Sequence, residues 1–89
     1  EALEFARMGI LPEGMYRNRR FAERWVEPGE TELAVQDMLY DPQTSGGLLI
    51  AVDAADADAM ERELQPAVPS CQRIGRVLSY EGGARIRLV

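Results

Sequence analysis

Asp41-Pro42-Gln43-Thr44-Ser45-Gly46-Gly47-Leu48-Leu49-Ile50-Ala51-Val52 is the stretch on which the reading turns. Its first seven residues are polar and end in two glycines, and five apolar residues follow at once. An uninterrupted apolar run of that length predicts a strand buried on both faces. The loop before it offers two hydroxyls, at Thr44 and Ser45, that can donate and accept hydrogen bonds. Gly46 and Gly47 permit close backbone approach. Asp41 can cap the loop or reach a cation. These features suit a backbone nest for a phosphate. They equally suit a tight structural connection, because Asp and Thr bond their own backbone in turns. No Lys follows the glycines, so the loop is not a Walker segment.

Downstream, residues 54–64 predict a helix with Asp53 as its cap. Ala57, Met60, Glu61 and Leu64 share one face at helical spacing. Ile74, Val77 and Leu78 mark a strand, Glu81-Gly82-Gly83 a turn, and Ala84, Ile86 and Leu88 alternate with Arg85 and Arg87. That pattern predicts a C-terminal β-hairpin. Upstream, Ala2–Met8 reads as the end of a helix stopped at Gly9. Residues 13–30 lack a clean period. They predict an ordered irregular segment, or a short helix near Phe21–Trp25, with Phe21, Trp25 and Val26 as apolar anchors. Thr31–Leu39 predicts a helix capped by Thr31, with Leu33, Val35, Met38 and Leu39 on one side. The order of elements implies α+β, or the second half of an α/β sandwich.

At 89 residues the chain allows one small domain with a thin core. Residues 1–89 are read as a single partial domain. The chain starts at Glu1, inside a helical pattern, and is expected to be a piece of a longer protein. A net charge of −5 argues against nucleic acid. The one basic cluster, Arg17 to Arg24, is short and flanked by Glu13, Glu23 and Glu27. No apolar run approaches a membrane span. A single cysteine, Cys71, rules out an internal disulfide and suits a reducing cytoplasm. With no His, the commonest general base and metal ligand is missing.

The twelve-residue block resembles the segment that marks the C-terminal lobe of selenophosphate synthetases. Gly14, Arg17-Asn18 and Phe21 are similar to that family's glycine, Arg-Asn and apolar stretch upstream. Ile74-Gly75-Arg76-Val77 resembles its Ile-Gly-x-Val strand. The resemblance runs from about Gly9 to Val89. It implies part of the C-terminal lobe of the aminoimidazole-ribonucleotide-synthetase-like fold. It further implies a parent that makes selenophosphate, AMP and phosphate from selenide, ATP and water with magnesium (Mg2+). The parent would be a homodimer formed largely through N-terminal lobes. The family's nucleophilic Cys or selenocysteine, catalytic Lys, glycine-rich nucleotide segment and Asp-Val-Thr-Gly-Phe-Gly segment are all absent here. This chain alone is therefore expected to hold no catalytic residue, to bind no cofactor and to be inactive. Its partner would be the missing N-terminal ATP-binding lobe, and self-association or strand exchange is expected where apolar edges are left bare.

On this resemblance Asp41, Gln43, Thr44, Ser45, Gly46 and Gly47 form an active-site wall or phosphate-proximal loop. Arg17 and Asn18 either contact a phosphate across the lobe interface or anchor the irregular segment. Asp53, Asp56, Asp58, Glu61 and Glu63 read as a cap and a solvated face rather than a metal site. Tyr16 and Trp25 read as packing groups rather than base-stacking ones. Cys71 reads as a buried or partly buried structural thiol. Two other functions stay open: a non-catalytic packing or dimerisation module, and a lobe of another ATP-dependent enzyme of the same superfamily.

Overall fold

The computed structural model describes residues 1–42 and 47–89. They fall into two compact units, Glu1–Gly46 with Tyr80–Val89, and Gly47–Ser79. Helices and a two-stranded sheet make the chain α+β.

In the first unit, α1 spans Ala2–Arg7 and ends as the sequence predicts, with Gly9 at φ 77°. Pro12 then starts α2, Glu13–Ala22. Proline suits a helix start because its missing N–H would find no partner there. A single 3-10 turn, Glu23–Trp25, leads into β1, Val26–Glu27. Helix α3 spans Leu33–Leu39, and both α1 and α2 pack against it. The core is small: Ala6, Met15 and Ala34 are its buried apolar members, one from each helix.

Three expectations for this unit are corrected. Residues 13–22 are a regular helix, not an irregular segment, and Phe21 is exposed rather than an anchor. The helix escapes a search for apolar spacing because its inward contacts are made by Gly14, Met15, Asn18 and Arg19, of which only Met15 is a large apolar group. Thr31 does not cap α3. Glu32 occupies that position without a side-chain cap, and the Thr31 carbonyl accepts from Gln36 Nε2 at 2.7 Å. The buried positions of α3 are Ala34 and Asp37, while Leu33 and Leu39 are exposed.

The C-terminal hairpin does not form. Gly82 and Gly83 do turn the chain at positive φ, but residues 74–78 carry no strand. Strand β2, Ile86–Arg87, instead pairs in parallel with β1, Val26 against Ile86 and Glu27 against Arg87. Arg85 N–H donates to the Trp25 carbonyl at 2.7 Å, and Leu88 N–H to the Glu27 carbonyl at 2.8 Å. A short strand remote in sequence thus takes the place of a neighbouring one. Gly29 admits this return: its φ is 57°, and a Cβ there would stand 3.0 Å from the Leu88 carbonyl.

In the second unit, α4 spans Ala57–Leu64. Its half-buried positions are Ala57, Met60, Glu61 and Leu64, the predicted stripe. It begins three residues later than expected. Asp53 Oδ1 accepts from Ala55 N–H at 2.9 Å, so Asp53 closes the turn before the helix instead of capping the helix itself. The predicted strand 48–52 is also corrected. Leu48, Leu49, Ile50 and Val52 are exposed, and among the described residues no strand pairs with them. An apolar run becomes a buried strand only where a neighbouring strand and a covering layer exist.

Candidate functional site

The Asp41–Gly47 loop is entered from the end of α3. Asp41 N–H donates to the Met38 carbonyl at 3.2 Å, which continues the last helical turn to the loop. Helix α2 holds this end in place at three levels. Asn18 Nδ2 donates to the Tyr40 carbonyl at 2.8 Å, satisfying an acceptor that the helix end leaves open. Arg19, on the next position of α2, forms an ion pair with Asp37 of α3. One turn earlier, Gly14 lies against Pro42, where a Cβ would stand 2.8 Å from Pro42 Cγ. The backbone of α2 therefore approaches the first loop residues as closely as a hydrogen side chain allows.

Asp37 is buried, with 6% of its surface exposed, and it is the only buried charged residue among the described ones. Arg19 answers that charge and also lies 5.8 Å from the centre of the Tyr40 ring. A guanidinium suits both tasks, since its plane can pair with a carboxylate and lie over an aromatic face. Arg19, Arg24, Glu23, Gln36 and Tyr40 also line a cavity of about 390 Å3 beside this junction.

The sequence-predicted site residues are not all drawn together. Gln43, Thr44, Ser45 and Gly46 lie outside the described residues. Asp41 is half-buried, Gly47 exposed. Asn18 anchors the α3 end, while Arg17 faces outward and pairs with Glu13 at 3.3 Å. Two members of the junction, Arg19 and Asp37, escaped the sequence reading. The available signal was Arg19 directly following Asn18, together with a lone acid within the apolar positions of α3.

Other charged groups are tied up locally. Arg7 makes a two-pronged contact with Glu32, Nε to Oε1 at 2.7 Å and Nη2 to Oε2 at 2.9 Å. Those hydrogen bonds, with the attached charge, raise the Arg7 pKa and hold the Glu32 carboxyl below its ordinary value. Arg73 donates to Asp58 at 2.7 Å and to Glu61 at 2.5 Å, and these bonds raise its pKa. Two of the carboxylates considered for a metal thus serve a guanidinium. Among the described residues no three acidic or thiol groups converge on a metal position. They do not fit a magnesium ion. Trp25 lies under Arg85 and Arg24, at 4.5 and 5.1 Å to the ring centre, and works as a packing platform beside β1. Cys71 is half-buried and free. No helix among the described residues is long and apolar enough to cross a membrane.

The described residues form an α+β chain in which α2 clamps the start of a glycine-ended loop. Sequence comparison supplies the family. The chain is 51% identical over 65 residues to the selenide, water dikinase of Clostridioides difficile, covering 72% of this chain and 19% of the relative. It is 45% identical over 82 residues to selenide, water dikinase 2 of Peptoclostridium acidaminophilum, covering 91% of this chain and 24% of the relative. It is 48% identical over 66 residues to the selenide, water dikinase of Treponema denticola, covering 74% and 19%. Over this segment the chain belongs to the selenide, water dikinase family. It spans about a fifth to a quarter of the length of these relatives. No family model and no solved structure matches it.

Proposed function

We propose that this chain is a lobe segment of a selenide, water dikinase, a parent enzyme that makes selenophosphate, AMP and phosphate from selenide, ATP and water. The observation that carries the reading is 45% identity over 91% of the chain to such an enzyme. In phosphoryl transfer the protein contributes chiefly positioning and charge stabilisation. On this proposal ATP and magnesium are bound by parts of the parent other than the described residues. Thr44 and Ser45 orient a phosphate or an ordered water, and Gly46 and Gly47 allow the approach. Asn18, Arg19 and Gly14 act as positioning residues, holding the α3 end from which the loop departs. Arg17, which faces outward, remains the candidate for a phosphate across the lobe interface. The parent is homodimeric, cytoplasmic and indifferent to nucleic acid and membranes. The chain alone is inactive and binds neither ATP nor magnesium.

The test is reconstitution. The rest of a selenide, water dikinase, made without the matching segment, is mixed with this chain, ATP, magnesium and selenide. Phosphorus NMR then follows selenophosphate and AMP. Product in the mixture and in neither part alone is expected. Folded, associated parts without product would leave the packing-module reading instead. Thr44→Ala in the reconstituted enzyme is expected to lower turnover at least tenfold, and unchanged turnover would remove Thr44 from the loop's role.

A further inference from the structure

Strand β2 reaches past β1 to the turn that precedes it. The pairing of Val26 with Ile86 and of Glu27 with Arg87, continued one residue back, sets Arg85 beside Trp25. Residues 85 and 87 lie two apart along the strand and share a face. Arg87 meets a carboxylate there, its Nε donating to Glu27 Oε2 at 2.9 Å. Arg85 meets aromatic rings: its guanidinium lies 4.5 Å from the centre of the Trp25 ring and 5.7 Å from that of Tyr80. Its backbone N–H also donates to the Trp25 carbonyl at 2.7 Å. Trp25 is thus held by main chain and side chain at once.

We propose that Arg85 is a positioning residue for the start of the Asp41–Gly47 loop, acting through Trp25 and the end of α2; its bearing on turnover rests on the loop's role proposed above. The 3-10 turn Glu23–Trp25 follows α2 without a break, so whatever fixes Trp25 fixes that end of the helix. On its α3 side the turn is not packed. Glu23, Arg24 and Val26 line the cavity of about 390 Å3 that Gln36 and Tyr40 also line. Arg24 lies 5.1 Å from the centre of the Trp25 ring, but it belongs to the turn and moves with it. Arg85 comes from a strand remote in sequence and supplies the fixed point.

Helix α2 carries that fixed point to the loop. Asn18 stands about two helical turns before Trp25 and bonds the Tyr40 carbonyl at 2.8 Å. One turn further back, Gly14 lies against Pro42. Neither contact has slack. Good N–H···O bonds span only about 2.7–3.2 Å. A Cβ at residue 14 would stand 2.8 Å from Pro42 Cγ. A helix keeps its rise of about 1.5 Å per residue, so a shift of its C-terminal end along the axis is carried to Asn18. Loosening Trp25 therefore loosens the bond that fixes the Tyr40 carbonyl, and with it the first loop residues.

Amide hydrogen exchange on the full 89-residue chain reads the effect. Arg85→Met keeps the stem and removes the charge. The Asp41 amide, which donates to the Met38 carbonyl, is expected to exchange about fivefold faster, the scale of one lost cation–π contact. The Met8 amide at the end of α1 is expected to stay within about twofold, because the opening is local. Arg85→Lys keeps a cation at the ring and is expected to hold Asp41 exchange within about twofold of the unaltered chain. Arg87→Gln removes only the neighbouring ion pair and is expected to leave Asp41 as it was. In a Trp25→Leu background Arg85→Met is expected to add nothing, since both changes break one contact. An Asp41 amide indifferent to Arg85→Met overturns the proposal. So does an equal rise at Met8, an equal rise with Arg85→Lys or Arg87→Gln, or a full further effect in the Trp25→Leu background. In the reconstituted enzyme, Arg85→Met is expected to lower turnover about fivefold and to leave the KM for ATP within about twofold. Unchanged turnover overturns the part played by Arg85 in the reaction while the lobe reading stands. If the unaltered chain reconstitutes no product, the lobe reading fails, and Asp41 exchange still decides whether Arg85 positions the loop start.

Discussion

Removing the Asp37 carboxylate tests how the two long helices of the first unit are joined. Asp37 is 6% exposed, and the Arg19 side chain that pairs with it is 22% exposed. Deleting one partner of a fully buried pair costs about 3–5 kcal/mol, because the remaining charge is stranded. Partial access of Arg19 to water lowers this to about 2–3 kcal/mol. A chain of 89 residues has a total stability of roughly 4–13 kcal/mol, so the loss is a large fraction of the whole. In melting temperature it amounts to roughly 10–20 °C for a domain of this size. Asp37→Asn keeps the shape and removes the charge, and thermal unfolding followed by circular dichroism at 222 nm reads the effect. The double change Arg19→Leu with Asp37→Leu removes both charges and is expected to recover at least half of the lost stability. The reasoning fails if Asp37→Asn melts within about 3 °C of the parent sequence. It also fails if the double variant is less stable than Asp37→Asn by the full cost of a second lost group.

Asn18→Ala frees the Tyr40 carbonyl and is expected to cost about 1 kcal/mol, measured by urea unfolding. Gly29→Ala strains a residue at φ 57° and crowds the Leu88 carbonyl; a loss of about 1–2 kcal/mol is expected, with hydrogen exchange fastest at the Leu88 amide. Gly14→Ala sets two effects against each other. Alanine favours the helix by about 1 kcal/mol, but its Cβ presses on the Pro42 ring, and overpacking costs about 1–3 kcal/mol. A net loss is expected, and a rise in melting temperature would show that Pro42 moves aside freely. Glu32 provides a pH test. Its folded-state pKa lies below the ordinary 4.5, chiefly through the hydrogen bonds from Arg7. The contribution of a group with a depressed pKa is present above its unfolded value and fades as pH falls through the folded one. Carbon-13 NMR should therefore find Glu32 titrating below 4.5, and Arg7→Ala should return it to that value.

The parts of the fold that could be read from sequence are those whose contacts are apolar and local. The Ala57, Met60, Glu61, Leu64 stripe is one; Gly9 ending α1 and the Gly82-Gly83 turn are others. Helix α2 was hidden because hydrogen bonds, an ion pair and a glycine contact do the work that apolar spacing usually does. The parallel pair β1–β2 joins residues sixty apart, such as Arg87 and Glu27, and no short-range pattern records a pairing of that separation. Strand signals at 48–52 and 74–78 describe what those residues suit when covered and paired, and a strand pattern alone cannot supply its own neighbour. At the candidate site, the loop stood out by its hydroxyls and glycines, whereas of the pair that holds its base Arg19 was one of a short basic cluster and Asp37 carried no signal of its own.

A chimaera gives the most direct test of the functional account. The matching segment of the Clostridioides difficile selenide, water dikinase is replaced by this chain's residues, and selenophosphate formation is measured by phosphorus NMR. The two segments share 51% identity over 65 residues, so the account predicts turnover within about tenfold of the unaltered enzyme. A chimaera that folds, binds ATP and makes no selenophosphate would contradict it.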